Sequence, residues 1–82
     1  KTIAAAQKQV DDINYIFVKK GEGYLTDELL QVAKIRLTAL ELSLSDIGKM
    51  LEPPISRSGV NHRLKKISLI ADTLRGEENR GE

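Results

Sequence analysis

Apolar residues recur at steps of three and four along most of the sequence, the spacing of one face of an α-helix. The first such stripe predicts a helix over residues 2–19, which two lysines and then glycines bring to an end. A second helix is predicted over residues 26–40, with Thr26 as its N-cap and acidic residues in its first turn. The predicted inward residues of these two helices are Ile3, Ala6, Val10, Ile13, Phe17, Leu29, Leu30, Ala33, Leu37 and Leu40.

Two further helices are predicted in the second half of the chain. Ser43, with Asp46 three residues later, forms a capping-box pattern at the start of a short helix over residues 44–51. Pro53 and Pro54 exclude helix at that point, because each lacks a backbone donor and disfavours helical geometry in the residue before it. Ser56 then caps the last and longest helix, over residues 56–75. The predicted inward residues are Leu44, Ile47, Leu51, Val60, Leu64, Ile67, Ala71 and Leu74.

The pattern predicts an all-α fold in which a three-helix core (26–40, 44–51 and 56–75) is joined to an additional amino-terminal helix (2–19). A chain of 82 residues is long enough for one hydrophobic core and too short for two. Residues 1–75 therefore form one predicted domain. Gly76 is expected to end the last helix, and residues 76–82, which have charges but no apolar side chain, are predicted to be a disordered tail.

A short helix, a turn and a longer helix behind a supporting helix match the helix-turn-helix plan. Gly48, in the middle of the short helix, is the small residue that the plan needs where the next helix crosses closely, and Val60 is the apolar residue about one turn into that helix. Gly48 also fits ordinary helix packing without DNA. Residues 52–55 lengthen the turn by two residues relative to the common motif, which predicts a tilted or displaced second helix.

Charge supports this plan only through its distribution. Thirteen basic and twelve acidic residues leave a formal charge of +1, yet four positive residues and no acid lie between Arg57 and Lys66. A major groove admits one helix, whose first turns reach the base edges. Asn61 is suited to bidentate pairing with adenine and Arg57 with guanine, whereas Lys65 and Lys66 are suited to phosphate. Ser58 and His62 share this outward face, and Arg63 lies at its edge.

The same residues also allow less specific interpretations. Basic helix faces are common, so the cluster alone is equally consistent with a solvated surface. Gly59 indicates a close backbone approach, either to DNA or to a neighbouring helix. His62 is either a phosphate or base contact or an exposed bystander.

Other classes of function find little support in the sequence. There is no cysteine and one histidine, which excludes disulfides and the usual zinc sites, so no metal or other cofactor is expected. The acidic pairs Asp11-Asp12 and Glu77-Glu78 are predicted to point to solvent, and no nucleophile has a plausible base, so we do not expect an enzyme. No apolar run approaches the roughly 20 residues of a membrane span, and no secretory signal is evident. A cytoplasmic protein without membrane contact is the expectation.

The segment from Ser43 to Ile67 closely resembles the carboxy-terminal domain of WhiA, a family of bacterial sporulation and cell-division transcription regulators. The specific part is Pro53-Pro54-Ile55-Ser56-Arg57-Ser58-Gly59-Val60-Asn61-His62-Arg63-Leu64, because generic helix-turn-helix proteins lack the double proline followed by that Asn-His-Arg. The likeness extends back through Leu25 to Leu37 and, more loosely, through the first helix. By this resemblance, the DNA-binding residues are Ser56, Arg57, Ser58, Asn61, His62, Arg63, Lys65 and Lys66.

The resemblance implies a wider context. Proteins of this family look like two-domain factors, with an amino-terminal domain similar to LAGLIDADG homing endonucleases that has lost nuclease chemistry. Residues 1–22 would then be the connecting helix that leads into the DNA-binding domain. The implied partners are promoter DNA of division and sporulation genes, in the nucleoid, and RNA polymerase sigma factors. A second hypothesis makes the domain a protein-interaction module that docks on a sigma factor, on RNA polymerase or on the amino-terminal domain.

Overall fold

The computed structural model describes residues 2–80 of the chain, with side chains from Ala6 to Glu77. It contains four α-helices in this range: α1 (Thr2–Lys19), α2 (Asp27–Thr38), α3 (Leu44–Met50) and α4 (Arg57–Arg80). A short 3₁₀ turn (Glu22–Tyr24) links α1 to α2, and none of the described residues forms a strand. The predicted all-α fold with its amino-terminal helix is confirmed.

The predicted N-caps Thr26, Ser43 and Ser56 are all formed. The Thr26 hydroxyl accepts a hydrogen bond from the Leu29 amide at 3.4 Å. At α3 the Asp46 amide donates to the Ser43 hydroxyl at 3.1 Å, and the Ser43 amide donates to the Asp46 carboxylate at 3.4 Å, which completes the capping box. Each cap satisfies a backbone donor that the helix itself leaves free, so the starts of these helices are set locally.

The hydrophobic core lies along α4, which packs against each of the other three helices. All five predicted inward residues of α4 are buried: Val60, Leu64, Ile67, Ala71 and Leu74. The other core residues are Ile13, Ile16, Leu25, Leu29, Val32, Ala33, Ile47 and Leu51. The long helix is therefore the element on which the remaining helices are assembled. No helix among residues 2–80 is long and apolar enough to cross a membrane.

The inward faces of α1 and α2 differ from the prediction. In α1, Ile16 is fully buried, whereas Val10 and Phe17 are only partly buried, and the side chain of Ile3 lies outside the described residues. In α2, Val32 and Arg36 are buried while Leu30 and Leu37 are only partly so. Both helices have apolar residues on more than one face, and the packing against α4 decides which face turns inward.

The end of α4 also differs from the prediction. The helix continues through Gly76 to Arg80, beyond the predicted end at residue 75. One exposed glycine in a helix costs only about 1 kcal/mol relative to alanine, which is too little to end a helix of this length. The predicted disordered tail is thus helical as far as Arg80, and residues 81 and 82 lie outside the described residues.

The prediction that Asp12 points to solvent is wrong, because its side chain is only 1% exposed. Its carboxylate accepts hydrogen bonds from Ser68 Oγ at 2.7 Å, Arg75 Nη1 at 2.7 Å and Lys8 Nζ at 2.9 Å. Burial by itself raises the pKa of Asp12, but the hydrogen bonds from Ser68, Lys8 and Arg75 outweigh this effect, so the pKa lies below its ordinary value. This Asp12 cluster (Lys8, Asp12, Ser68 and Arg75) fastens α1 to the second half of α4.

Candidate nucleic-acid interface

The candidate interface is the first half of α4, which begins after the cap residue Ser56. The Gly59 amide donates to the Ser56 hydroxyl at 3.2 Å, and the Val60 amide donates to the Ser56 carbonyl at 3.1 Å. Val60 and Leu64 are buried against the core, and the residues on the opposite side of the helix are exposed.

Most of the predicted site residues lie on that solvent-facing side. The exposed ones are Ser56, Arg57, Ser58, His62, Lys65 and Lys66. Among the described residues, the ion pairs involve none of the four cations Arg57, Arg63, Lys65 and Lys66. No acid occurs between Arg57 and Lys66 either, so the positive charge of this face has no ion-pair partner among the described residues.

Asn61 and Arg63 lie on the flanks of this face and are half-buried. They are two residues apart, and on a helix with about 3.6 residues per turn this spacing places them at opposite edges of the exposed face. Asn61 lies in a cleft of about 240 Å³ that is also lined by Leu44, Arg57 and Ser58. The structure therefore brings Arg57, Ser58 and Asn61 together beside the start of α3, and leaves Arg63 on the other flank.

The turn between the two helices is held tightly against α3. Residues 51–56 connect α3 to α4, and the Ile55 amide donates to the Gly48 carbonyl at 3.1 Å. A Cβ atom on Gly48 would lie against the Ile55 carbonyl and 3.3 Å from Val60 Cγ2. Glycine is thus required at this position by the turn as much as by the crossing helix.

Gly59 also packs against the turn. A Cβ atom at this position would lie 3.2 Å from Cδ1 of Ile55. Of the two interpretations of Gly59, close approach to DNA or to a neighbouring helix, the structure supports neither directly. It is the Ile55 side chain that occupies the space beside Gly59.

Arg36 is a buried residue that the sequence pattern did not indicate. The residue is 3% exposed and lies near the end of α2, where Nη1 donates to the carbonyls of Leu40 and Leu42, each at 3.1 Å. Burial lowers the pKa of Arg36. A cation in the last turn of a helix is favourable for the helix dipole, which gives no reason to expect burial. Arg36 holds the loop that leads into Ser43 and α3.

Comparison with known proteins places this arrangement in a family. The family sequence model described as the WhiA C-terminal HTH domain matches residues 1–71. The chain belongs to the WhiA family. Helix-turn-helix domains are DNA-binding modules, so this membership supports DNA as the partner. The helix-turn-helix plan predicted from the caps and the α4 stripe is confirmed.

Curated relatives agree with this membership. The chain is 52% identical over 75 residues to a "Probable cell division protein WhiA" of Lachnoclostridium phytofermentans, covering 92% of the chain and 24% of the relative. It is 48% identical over 77 residues to the protein of the same name from Clostridium acetobutylicum, covering 94% and 24%. The corresponding Moorella thermoacetica protein is 41% identical over 81 residues, covering 99% and 26%. The chain thus spans about a quarter of the length of these WhiA relatives. No solved structure matches it.

Proposed function

We propose that this WhiA domain binds double-stranded DNA sequence-specifically, with the first half of α4 in the major groove. The observation that carries the proposal is the exposed basic side of α4 from Arg57 to Lys66, backed by buried Val60 and Leu64. A helix with one buried and one cationic side, supported by a capped helix in front of it, has the geometry of a groove-reading helix. The domain catalyses no reaction in this proposal.

The residues divide into two roles. Lys65 and Lys66, flexible cations on the exposed side, contact phosphate and supply affinity for any sequence. Asn61 and Arg57 contact base edges and supply sequence preference. The remaining contacts are assigned to Ser56, Ser58, His62 and Arg63.

In its cellular setting, we propose that the domain is part of a transcription regulator of cell division and sporulation genes. It would act on promoter DNA in the nucleoid, beside a sigma factor of RNA polymerase and attached to the homing-endonuclease-like amino-terminal domain. The names of the WhiA relatives support the connection with cell division.

The first experiment is chemical-shift mapping of the ¹⁵N-labelled chain with a short random-sequence DNA duplex at low salt. Shifts concentrated in residues 56–66 support DNA binding through α4. If these amides do not shift while the chain binds RNA polymerase or a sigma factor, the protein-interaction alternative replaces the proposal.

Variants then separate phosphate contact from base contact. Their binding is measured on a DNA duplex enriched by selection from random sequences. The double variant Lys65→Ala, Lys66→Ala should weaken binding to every duplex and reduce the slope of log affinity against log salt by about 2. The control with the same change of charge is Lys20→Ala, Lys34→Ala, at two exposed positions outside α4. An equal loss of slope in the control would show that overall charge, and not the α4 face, governs binding.

Asn61→Ala tests base reading. It should cost about 1–3 kcal/mol on the selected duplex and little on random DNA. Equal losses on both duplexes would refute the assignment of Asn61 to base reading.

A further inference from the structure

A second, partly open cavity lies beside the α4 face and is lined by residues of α1, α2, α3, α4 and the loop before α3. This Arg36 cavity has a volume of about 290 Å³, and its polar lining residues are Gln9, Arg36, Ser43 and Asn61. It shares Leu44 and Asn61 with the cleft of about 240 Å³ that contains Arg57 and Ser58. The two spaces are therefore adjacent; Arg36 lines one of them, and Arg57 lines the other.

The charge in the cavity is unbalanced. Arg36 is buried, its Nη1 donates to two backbone carbonyls, and its Nε has no hydrogen-bond partner among the described residues. In the part of the chain that the structure describes, no carboxylate pairs with Arg36. A buried charge without a counter-ion is costly, so this position favours an anion.

The other polar groups of the cavity are compatible with an anion. Gln9 Oε1 is buried and has no hydrogen-bond partner among the described residues. This oxygen is an acceptor and does not itself favour an anion, but a half-turn about the last torsion of Gln9 exchanges it for the NH₂ donor, and the Asn61 amide and the Ser43 hydroxyl also contain donors. No acidic residue lines either the cavity or the adjacent cleft. The cavity lining therefore combines one arginine, Arg36, with neutral polar groups, and a second arginine, Arg57, lines the adjacent cleft; this set suits an oxyanion.

We propose that the Arg36 cavity binds a phosphate group, with Arg36 as its cation and Gln9 as a neutral donor. At about 30 Å³ for each water molecule, the volume holds several waters and thus a phosphate group. The source is either a phosphodiester of a DNA strand or free phosphate. The DNA source rests on the proposed function, because a strand that contacts Arg57 and Asn61 passes over the adjacent cleft. In that case α1 and α2 extend the DNA contact beyond α4.

The test follows the Nε–H signal of Arg36 and the side-chain amide of Gln9 by NMR in the ¹⁵N-labelled chain. Sodium phosphate is titrated against sodium chloride at equal ionic strength, and a DNA duplex is titrated in a separate arm. We expect phosphate or duplex to shift both signals in a saturable manner, and chloride not to. The Nε–H signal of Arg75, whose guanidinium is already bound to Asp12 at 2.7 Å, is the internal control. Equal shifts with chloride, or equal shifts at Arg75, would overturn the proposal.

A matched pair of variants tests the lining. Gln9→Leu removes a polar group from the cavity, whereas Gln7→Leu, on the same helix, removes an exposed amide that donates to Asp11 at 3.0 Å outside it. Gln9→Leu should weaken phosphate binding by about tenfold, the equivalent of one hydrogen bond to a charged group, and Gln7→Leu should not. Identical affinities in the two variants would overturn the role of Gln9. Arg36→Lys, which keeps the charge, should retain binding more weakly than the wild type.

The two arms distinguish the failure of this inference from failure of the proposed function. If the duplex shifts residues 56–66 while neither titrant shifts Arg36 or Gln9, the cavity proposal is wrong and DNA binding stands. If the duplex shifts nothing while phosphate shifts both probes, the proposed function is wrong and the cavity is a site for free phosphate.

Discussion

Replacing Gly48 with alanine adds one methyl group where α3 meets the turn. The new Cβ would lie against the Ile55 carbonyl oxygen and 3.3 Å from Val60 Cγ2. Because this oxygen belongs to the backbone, rotation of a side chain cannot relieve the overlap. The turn must move away from α3, and the hydrogen bond from the Ile55 amide to the Gly48 carbonyl, now 3.1 Å, is weakened.

The magnitude follows from three opposing effects. Alanine favours the helical state over glycine by about 1 kcal/mol. Overpacking a closed contact costs about 1–3 kcal/mol. A weakened backbone hydrogen bond costs about 0.5–1.5 kcal/mol. The expected net result is a loss of about 0.5–3.5 kcal/mol in the free energy of unfolding, although helix propensity alone would predict a gain.

The assay is urea unfolding followed by far-ultraviolet circular dichroism. The control is Gly76→Ala, at an exposed helical position where no atom lies within 4 Å of an added Cβ. That change should raise the free energy of unfolding by up to about 1 kcal/mol. The two substitutions are chemically identical, but they should change the free energy of unfolding in opposite directions. If Gly48→Ala is as stable as the wild type or more so, the close approach between α3 and the turn is refuted.

Three further predictions concern the Asp12 cluster and the α3 cap. Asp12→Asn should lower the free energy of unfolding by about 1–3 kcal/mol, which is less than for a fully buried ion pair because Lys8 and Arg75 stay hydrated. The control Asp11→Asn, at an exposed position, should change the free energy of unfolding by under about 0.5 kcal/mol. Equal effects of the two substitutions would contradict the burial of Asp12. Because the pKa of Asp12 is lowered in the folded state, its stabilisation is present above the unfolded pKa and lost as pH falls through the folded one. The stability gap between wild type and Asp12→Asn should thus narrow in urea titrations below about pH 4, and a constant gap would be inconsistent with ionic pairing. Ser43→Ala should cost about 1 kcal/mol in thermal unfolding, and no loss would contradict the capping box.

The sequence predicts those elements whose determinants lie close together in the chain. The apolar steps of four, three, four and three in α4 define a single stripe, and all its members are buried. The caps at Thr26, Ser43 and Ser56 use partners only three residues away, so the chain itself specifies them. The exposed side of α4 followed directly from the position of the stripe.

The features that depend on distant partners were not predictable in this way. Asp12 is buried because Ser68 and Arg75, 56 and 63 residues later, provide its donors, and nothing in the Asp11-Asp12 pair indicates which carboxylate turns inward. Arg36 is buried because the following loop folds back over it. The sequence pattern places Asn61 among the outward residues, but it is half-buried and lines the cleft beside Leu44 of α3.

The Asp12 cluster has a consequence for how α4 can vary. Its α4 members, Ser68 and Arg75, both come after Lys66, so the cationic half and the fastened half of the helix share no residue. Exchanging outward side chains of the cationic half therefore changes no member of the Asp12 cluster. Under the proposed function, side chains in the first half of α4 can change to recognise other promoter sequences, while Ser68 and Arg75 in the second half keep their contacts with Asp12 of α1.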